Sequence, residues 1–215
     1  MSAAVVWPLF GLELTTPRVL LRAATESDIV TLAAQLPPDL EVDPSRPHHP
    51  ALPTDQQRAA GELQQYWRNL GTWTATSWEV PFVVAVDGRL VGTQTLEGED
   101  FPRRRVVETA SWLLRDVRGR GIGRDMRAAV LHLAFEGLGA QAAVTSAWAD
   151  NARSLGVSRS LGYIDNGYDI HVHGDHADRM VRLIMTRPRW LDQGAGRPEV
   201  EILGLEACLP LFGLA

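Results

Sequence analysis

Two stretches of this chain combine residue types and spacings that could do chemistry. The first is DIHVHGDHADRM, residues 169–180, in which His171, His173, Asp175 and His176 spell H-x-H-x-D-H. Imidazole nitrogens and carboxylate oxygens are zinc ligands, and an ion held by three of them turns bound water into a nucleophile for hydrolysis. The second is DVRGRGIGRDMRAAVLHLAF, residues 116–135, where Gly119, Gly121 and Gly123 stand between a strand-like run and a helix-like one. Glycines there let the backbone close on a ligand, and the free amides at a helix start carry partial positive charge. A diphosphate is the natural occupant.

The residue types available elsewhere narrow both readings. All 21 basic residues are arginine. A Walker loop, which needs a lysine, and any Schiff-base chemistry are therefore excluded. A Rossmann turn needs a glycine three residues after Gly121, where Arg124 stands, and must open a strand–helix–strand unit rather than follow a hairpin. The histidine run resembles the metal-binding stretch of the metallo-β-lactamase superfamily, but such a site needs further histidines downstream and none follows His176. No physiological metal is expected. His171 and His173 instead alternate onto one face of a strand, with Gly174 and Asp175 as the turn.

The elements that must position these residues can be read from periodicity. Residues 14–22 read as a first strand, and Thr25 with Asp28 as the start of a helix. Residues 37–53 are proline-rich, carry His48 and His49, and read as a loop. Thr54 opens a helix to about Leu70. PFVVAV, Asp87-Gly88 and LVGTQTL form a hairpin over 80–96. A strand at 105–114 precedes the glycine turn. The helix after it recurs at Ile122, Met126, Ala129, Val130 and Leu133, which gives one apolar face. A strand over 142–149, a helix over 151–161 and a last hairpin around 166–173 and 179–187 complete the order. Antiparallel strands in the middle and crossover helices later predict a mixed sheet in an α/β fold.

Composition bounds the rest. With 215 residues, 45% of them hydrophobic, the expectation is one domain over 1–215. No apolar stretch is long enough to cross a membrane, and the first residues lack a signal-peptide pattern, so a cytoplasmic, membrane-free protein is expected. A net charge of −5 argues against a nucleic-acid partner. Cys208 is the single cysteine and is expected to be a small buried hydrophobe rather than a nucleophile. WPLFG at 7–11 and LPLFG at 209–213 look like apolar anchors for the two termini.

Arg118, Gly121 and Gly123 form R-x-x-G-x-G, which resembles the acyl-CoA signature of the GNAT superfamily of N-acetyltransferases. The segment VETASWLLRDVRGRGIG resembles the strand and turn of that family, and ADNARSLGVSRSLGY resembles its N-x-x-S…LGF run. TTPRVLLRAATESD is similar to the entry of the RimJ/RimL-type, ribosomal-protein-acetyltransferase-like branch. The likeness covers about 14–187. The tail over 188–215 resembles a group of actinobacterial members and is expected to pack back on the domain. The resemblance implies a centrally splayed sheet of about seven strands flanked by helices, with acetyl-CoA or a related acyl-CoA, succinyl-CoA included, as co-substrate.

It also implies roles. The backbone edge at Leu113 and Leu114 would pair with pantetheine. The amides of Gly119, Arg120, Gly121, Ile122, Gly123 and Arg124 would hold the pyrophosphate, with Arg118 adding charge. Asn151 would contact the pantetheine arm and Ser154 would pack beside it. Glu108 would be the general base. Ser158 stands where many members place an acid tyrosine, so it would hydrogen-bond the departing sulfur. Tyr163 is expected in the core. The acceptor is expected to be a protein or peptide amine, with a small-molecule amine of the antibiotic type, or an acyl-CoA sensor without turnover, as alternatives. Trp73, His171 and His173 are candidate acceptor contacts, and a homodimer is a further expectation.

Overall fold

Two parallel strands, β5 (Val106–Leu113) and β6 (Ala142–Trp148), organise the computed structural model, which describes residues 2–40, 49–194 and 197–214. They pair only at Val106↔Ala142, Val107↔Ala143 and Glu108↔Val144. Thr145 Oγ1 then donates to Thr109 O at 2.8 Å, and beyond that bridge the strands separate. Each keeps its outer neighbour along its length. β5 pairs with β4 (Arg89–Gly98), and β6 with β8 (His176–Thr186). A V-shaped opening between the C-terminal halves of β5 and β6 is the result.

The remaining strands are β1 (Glu13–Thr15), β2 (Leu20–Ala23), β3 (Trp78–Val86), β7 (Ile164–His173) and β9 (Glu201–Leu203). The sheet order is β7-β8-β6-β5-β4-β3-β2-β1-β9. Nine strands replace the expected seven for two reasons. The run 14–22 is not one strand, because Pro17 cannot donate to a ladder and the chain turns there, with Thr16 N bonding Val19 O at 2.9 Å. The tail then contributes β9, antiparallel to β1.

The β3–β4 hairpin turns at Asp87 (φ +49°) and Gly88 (φ +77°), the double positive φ of a two-residue type I′ connection. Helix α2 (Glu26–Ala33) starts as expected: Thr25 and Asp28 form a reciprocal capping box, and Arg22 pairs with the same carboxylate at 2.6 Å. Thr25→Ala should therefore lower unfolding free energy by about 1 kcal/mol in a denaturant titration. Helix α3 (Thr54–Gly71) has Pro53, not Thr54, at its cap position, and no side chain caps it. His48 lies outside the described residues, whereas His49 Nε2 is 3.0 Å from Gln64 Oε1.

Alternation in β3 divides the core between the two sheet faces. Val80, Phe82 and Val84 join the cluster containing helix α5 (Ile122–His132), while Val83 joins Ile29, Leu32 and Tyr66 of α2 and α3. Ile122, Met126, Ala129, Val130 and Leu133 are all buried, as the period of three and four requires. The termini meet below this core. Short helices α4 (Phe101–Arg104) and α7 (Arg187–Leu191) follow β4 and β8; before β1, helix α1 (Ala3–Val6) leads into a 3-10 turn over Pro8–Gly11, and helix α8 (Leu205–Cys208) leads into another over Leu209–Phe212. Trp73 stacks near Trp78 and Phe212, packs edge-on against Trp7 and donates from Nε1 to Leu211 O at 2.9 Å. Cys208 is fully buried, and burial pushes its thiol up to about 11, so thiolate chemistry at neutral pH is absent from it.

Candidate active site

The glycine turn forms because two of its residues adopt left-handed backbone, Gly119 at φ +75° and Gly121 at φ +83°. Gly121 is the cap of α5, and its carbonyl receives Arg124 N and Asp125 N at 3.0 and 3.1 Å. Helix geometry leaves the amides of Ile122 and Gly123 without carbonyl partners, at the positive end of the helix. Gly123 lies 3.7 Å from Val157 Cγ2 and 3.8 Å from Leu113 Cδ1, measured from the position a Cβ would take, so the turn is held against both β5 and helix α6 (Ala152–Ser160).

Four residues outside the motif, Arg18, Asp125, Asp39 and Arg115, hold this turn. Arg18, between β1 and β2, grips Asp125 through Nε at 2.5 Å and Nη2 at 2.8 Å, and Nη1 reaches Arg120 O at 3.1 Å. Asp125 is buried in the first turn of α5, and Arg18 supplies its counter-charge. Asp39 accepts from Arg118 at 2.7 Å and Arg115 at 3.1 Å, and these arginines hold its carboxyl well below the usual carboxylate range. Arg118 also donates from Nε to Leu113 O at 2.9 Å. It is thus committed to shaping the turn as well as adding charge. Arg18 pairs across 107 positions of sequence, a separation that leaves no local signal.

The open edge of β5 falls slightly earlier than the sequence suggests. Leu114 N is taken by Val91 O at 2.8 Å, and the Leu113 carbonyl is taken by Arg118. Thr109 O points toward β6 and Ala110 O toward β4, where Gln94 Nε2 donates to it at 2.8 Å. Alternation then turns the backbone of Ser111 into the opening between β5 and β6. Leu113 borders the opening, while Leu114 is anchored to β4.

Glu108 sits at the last parallel pair, where the two strands begin to part. It lines a shallow cleft with Glu97, Glu99, Arg104, Val106 and Val144. Arg104 pairs with Glu99, but Glu97 stands directly across the ladder from Glu108. Partial burial and then the negative charge of Glu97 push the Glu108 carboxyl above its ordinary value. Glu97 is pushed the same way by burial and by Glu99. A carboxylate with raised basicity in an acidic cleft can attract an ammonium ion and then accept its proton.

On the other sheet face, Ser158 of α6 is buried at 1% exposure and donates to Ser154 O at 3.2 Å. It accepts from Arg127 Nη1 at 3.2 Å, while Arg127 Nη2 reaches Ser111 Oγ at 3.1 Å. Tyr163 is buried beside Arg127, as its expected core position requires. Asn151 caps α6, its Oδ1 receiving Ser154 N at 3.1 Å. Gly123 thus packs between Leu113 of β5 and helix α6, which Asn151 caps and which carries Ser154 and Ser158, while Glu108 lies on the opposite sheet face at the last parallel pair. In the sequence Arg127 gives no sign of its burial, because one arginine within an amphipathic helix reads as solvent-facing.

The acceptor candidates lie apart from Glu108 in their contacts. Trp73 belongs to the aromatic cluster that binds the two termini. His173 stacks face to face on Trp148, ring centres 4.1 Å apart, and His171 meets the same ring edge-on at 6.3 Å. His173 Nδ1 also pairs with Asp178 at 3.4 Å, and the ligand atoms of His173, His176 and Asp178 lie within 4.8 Å of one another. The hairpin turns at Gly174 and Asp175 as expected. No helix among the described residues is long and apolar enough to cross a membrane.

The nine-stranded mixed sheet, parted between two parallel strands beside a glycine turn, defines a class of acyl-CoA-binding transferases. Residues 18–164 match the acetyltransferase (GNAT) domain, and the chain belongs to this family of acyl-CoA-dependent N-acetyltransferases. Among solved structures it is similar to Mycobacterium smegmatis RimJ in complex with CoA-disulfide, at TM-score 0.67 and 18% identity, covering 90% of this chain and 97% of that one. A chimera of the Vibrio cholerae spermidine N-acetyltransferase SpeG with hSSAT is similar at TM-score 0.63 and 16% identity, covering 81% and 99%. These likenesses support the fold.

Proposed function

We propose that the protein moves an acyl group, acetyl or succinyl, from acyl-CoA to a primary amine of a protein or peptide, by direct attack within a ternary complex. The observation that carries this reading is the placement of Glu108 at the point where β5 and β6 separate. The thioester would enter from the α5 face, with its pyrophosphate on the amides of Gly119–Arg124 and its arm along Ser111 and Leu113. The acceptor ammonium would come to the acidic cleft of Glu97, Glu99 and Glu108, drawn by its charge. Glu108, directly or through one water, takes the proton. The amine lone pair then bonds to the thioester carbon, the C–S bond breaks, the surplus proton of the nitrogen passes to the departing thiolate, and the Ser158 hydroxyl turns from Ser154 O toward that sulfur.

A basic acceptor is favoured because Glu97 and Glu108 line the cleft on this sheet face with no arginine paired to them among the described residues. The RimJ/RimL-type reading of the first strand and helix supports a protein amine. A homodimer draws support from edge strand β7, where Tyr168, Ile170 and Val172 are exposed at 53, 58 and 72%. The test is a matrix of acyl-CoA donors against peptide, polyamine and aminoglycoside acceptors, read as free thiol released. Acyl transfer to peptide amines is expected. Calorimetric titration that finds no binding of acetyl-CoA, succinyl-CoA or CoA would sink the proposal.

A further inference from the structure

Arg127 is a cation without an anion. It lies on α5 at 4% exposure, and the groups around it are neutral: the hydroxyls of Ser158 and Ser111, and the buried phenol of Tyr163. Nε has no hydrogen-bond partner, and among the described residues no carboxylate pairs with the guanidinium. Burying a guanidinium among neutral groups is costly, and arginine does not shed its proton to escape the cost. Elsewhere in this chain Asp125 and Asp28, both buried, receive an arginine as bidentate counter-ion. Arg127 is treated differently, and the difference points to a missing anionic partner.

The position of that partner follows from what Arg127 touches. Ser111 is on β5 and Ser158 on α6, the two elements that flank the opening into which the thioester end of the donor must pass. The phosphates are served by the amides at the start of α5, one turn earlier on the same helix. The vacant charge therefore faces the acyl end. Carboxylate and guanidinium are matched in geometry, since two oxygens can take two parallel N–H donors.

We propose that Arg127 reads the free carboxylate of a dicarboxylic acyl group, which makes the preferred donor a CoA monothioester of the succinyl or glutaryl class. This deepens the acyltransferase reading and rests on it. The distal carboxylate is a spectator in the transfer: the amine nitrogen gains the acyl carbon, CoA leaves as the thiol, and the carboxylate stays on the product. An acceptor that entered as a cation leaves carrying an anion.

The test uses the full chain and calorimetric titration with acetyl-CoA, succinyl-CoA, glutaryl-CoA and CoA, repeated with Arg127→Met. The wild-type protein is expected to bind succinyl-CoA or glutaryl-CoA at least about tenfold more tightly than acetyl-CoA, and Arg127→Met should bring that ratio close to one. Equal affinity of the wild-type protein for acetyl- and succinyl-CoA would overturn the inference while leaving acyl transfer intact. Failure to bind any CoA thioester would instead remove the reading beneath it. A ratio unchanged in Arg127→Met, with kcat lowered equally for every donor, would assign the guanidinium to the leaving sulfur and also overturn the inference. Should Arg127→Met fail to fold, the donor ranking of the wild-type protein and of Ser111→Ala still decides the matter.

Discussion

Glu108→Gln is expected to lower kcat by roughly 10²–10⁴-fold, the range a positioned general base contributes, with little change in donor affinity. Glutamine keeps the shape and loses the basic lone pair. The pH profile carries the same argument. Transfer needs Glu108 as the carboxylate, so kcat falls as pH drops through its folded value. That value is raised, first by burial and then by the charge of Glu97 across the ladder. Glu97→Gln removes the second cause, so the acidic limb of kcat should move to lower pH. An unmoved limb in Glu97→Gln, together with a nearly unchanged kcat in Glu108→Gln, would take the base away from this position. Steady-state rates with a saturating peptide acceptor measure both.

The second large effect is expected at Gly92, far from any titrating group. β3 and β4 shift register near Val84 and Ala85, where Gly92 meets β5. A Cβ on Gly92 would drive into the carbonyl oxygen of Trp112 and lie 2.9 Å from Leu113 Cα. Both obstacles are backbone, so neither can swing aside as a flexible side-chain end would. Gly92→Ala should cost on the order of 3 kcal/mol, the upper range of overpacking, and lower Tm by about 6–12 °C. The displaced segment includes Ser111–Leu113, so donor affinity should fall with it. Gly88→Ala is the contrasting control: at φ +77° it carries the cost of left-handed backbone but has open space around it. A melt of Gly92→Ala matching that of Gly88→Ala would show that the close approach is unimportant.

Much of the fold was legible because local chemistry determined it. The Asp87-Gly88 turn, the Thr25–Asp28 capping box, the apolar face of α5 and the glycine turn all follow from residues a few positions apart. Segment order then specified a mixed sheet. The strand count fell short where the deciding interaction was distant. Pro17 breaks the first strand, and β9 exists because the tail returns to β1. Trp73 reads equally well as a pocket floor or a core residue until Phe212 and Leu211 are seen beside it.

The candidate site divides along the same line. Its backbone part, the turn at Gly119–Gly123 and the cap at Asn151, was determined by the sequence alone, since a positive φ and a helix start are local properties. Its electrostatics were decided by tertiary structure. Arg18 comes to Asp125, Glu97 to Glu108, and Arg127 to Ser111 and Ser158, each from a different element. The histidine run makes the same point: its spacing names the candidate ligands, but only the fold lays His171 and His173 against Trp148 and brings His173, His176 and Asp178 together. Charge interactions depend on distance and burial, and both come into being only when separate segments of the chain pack together.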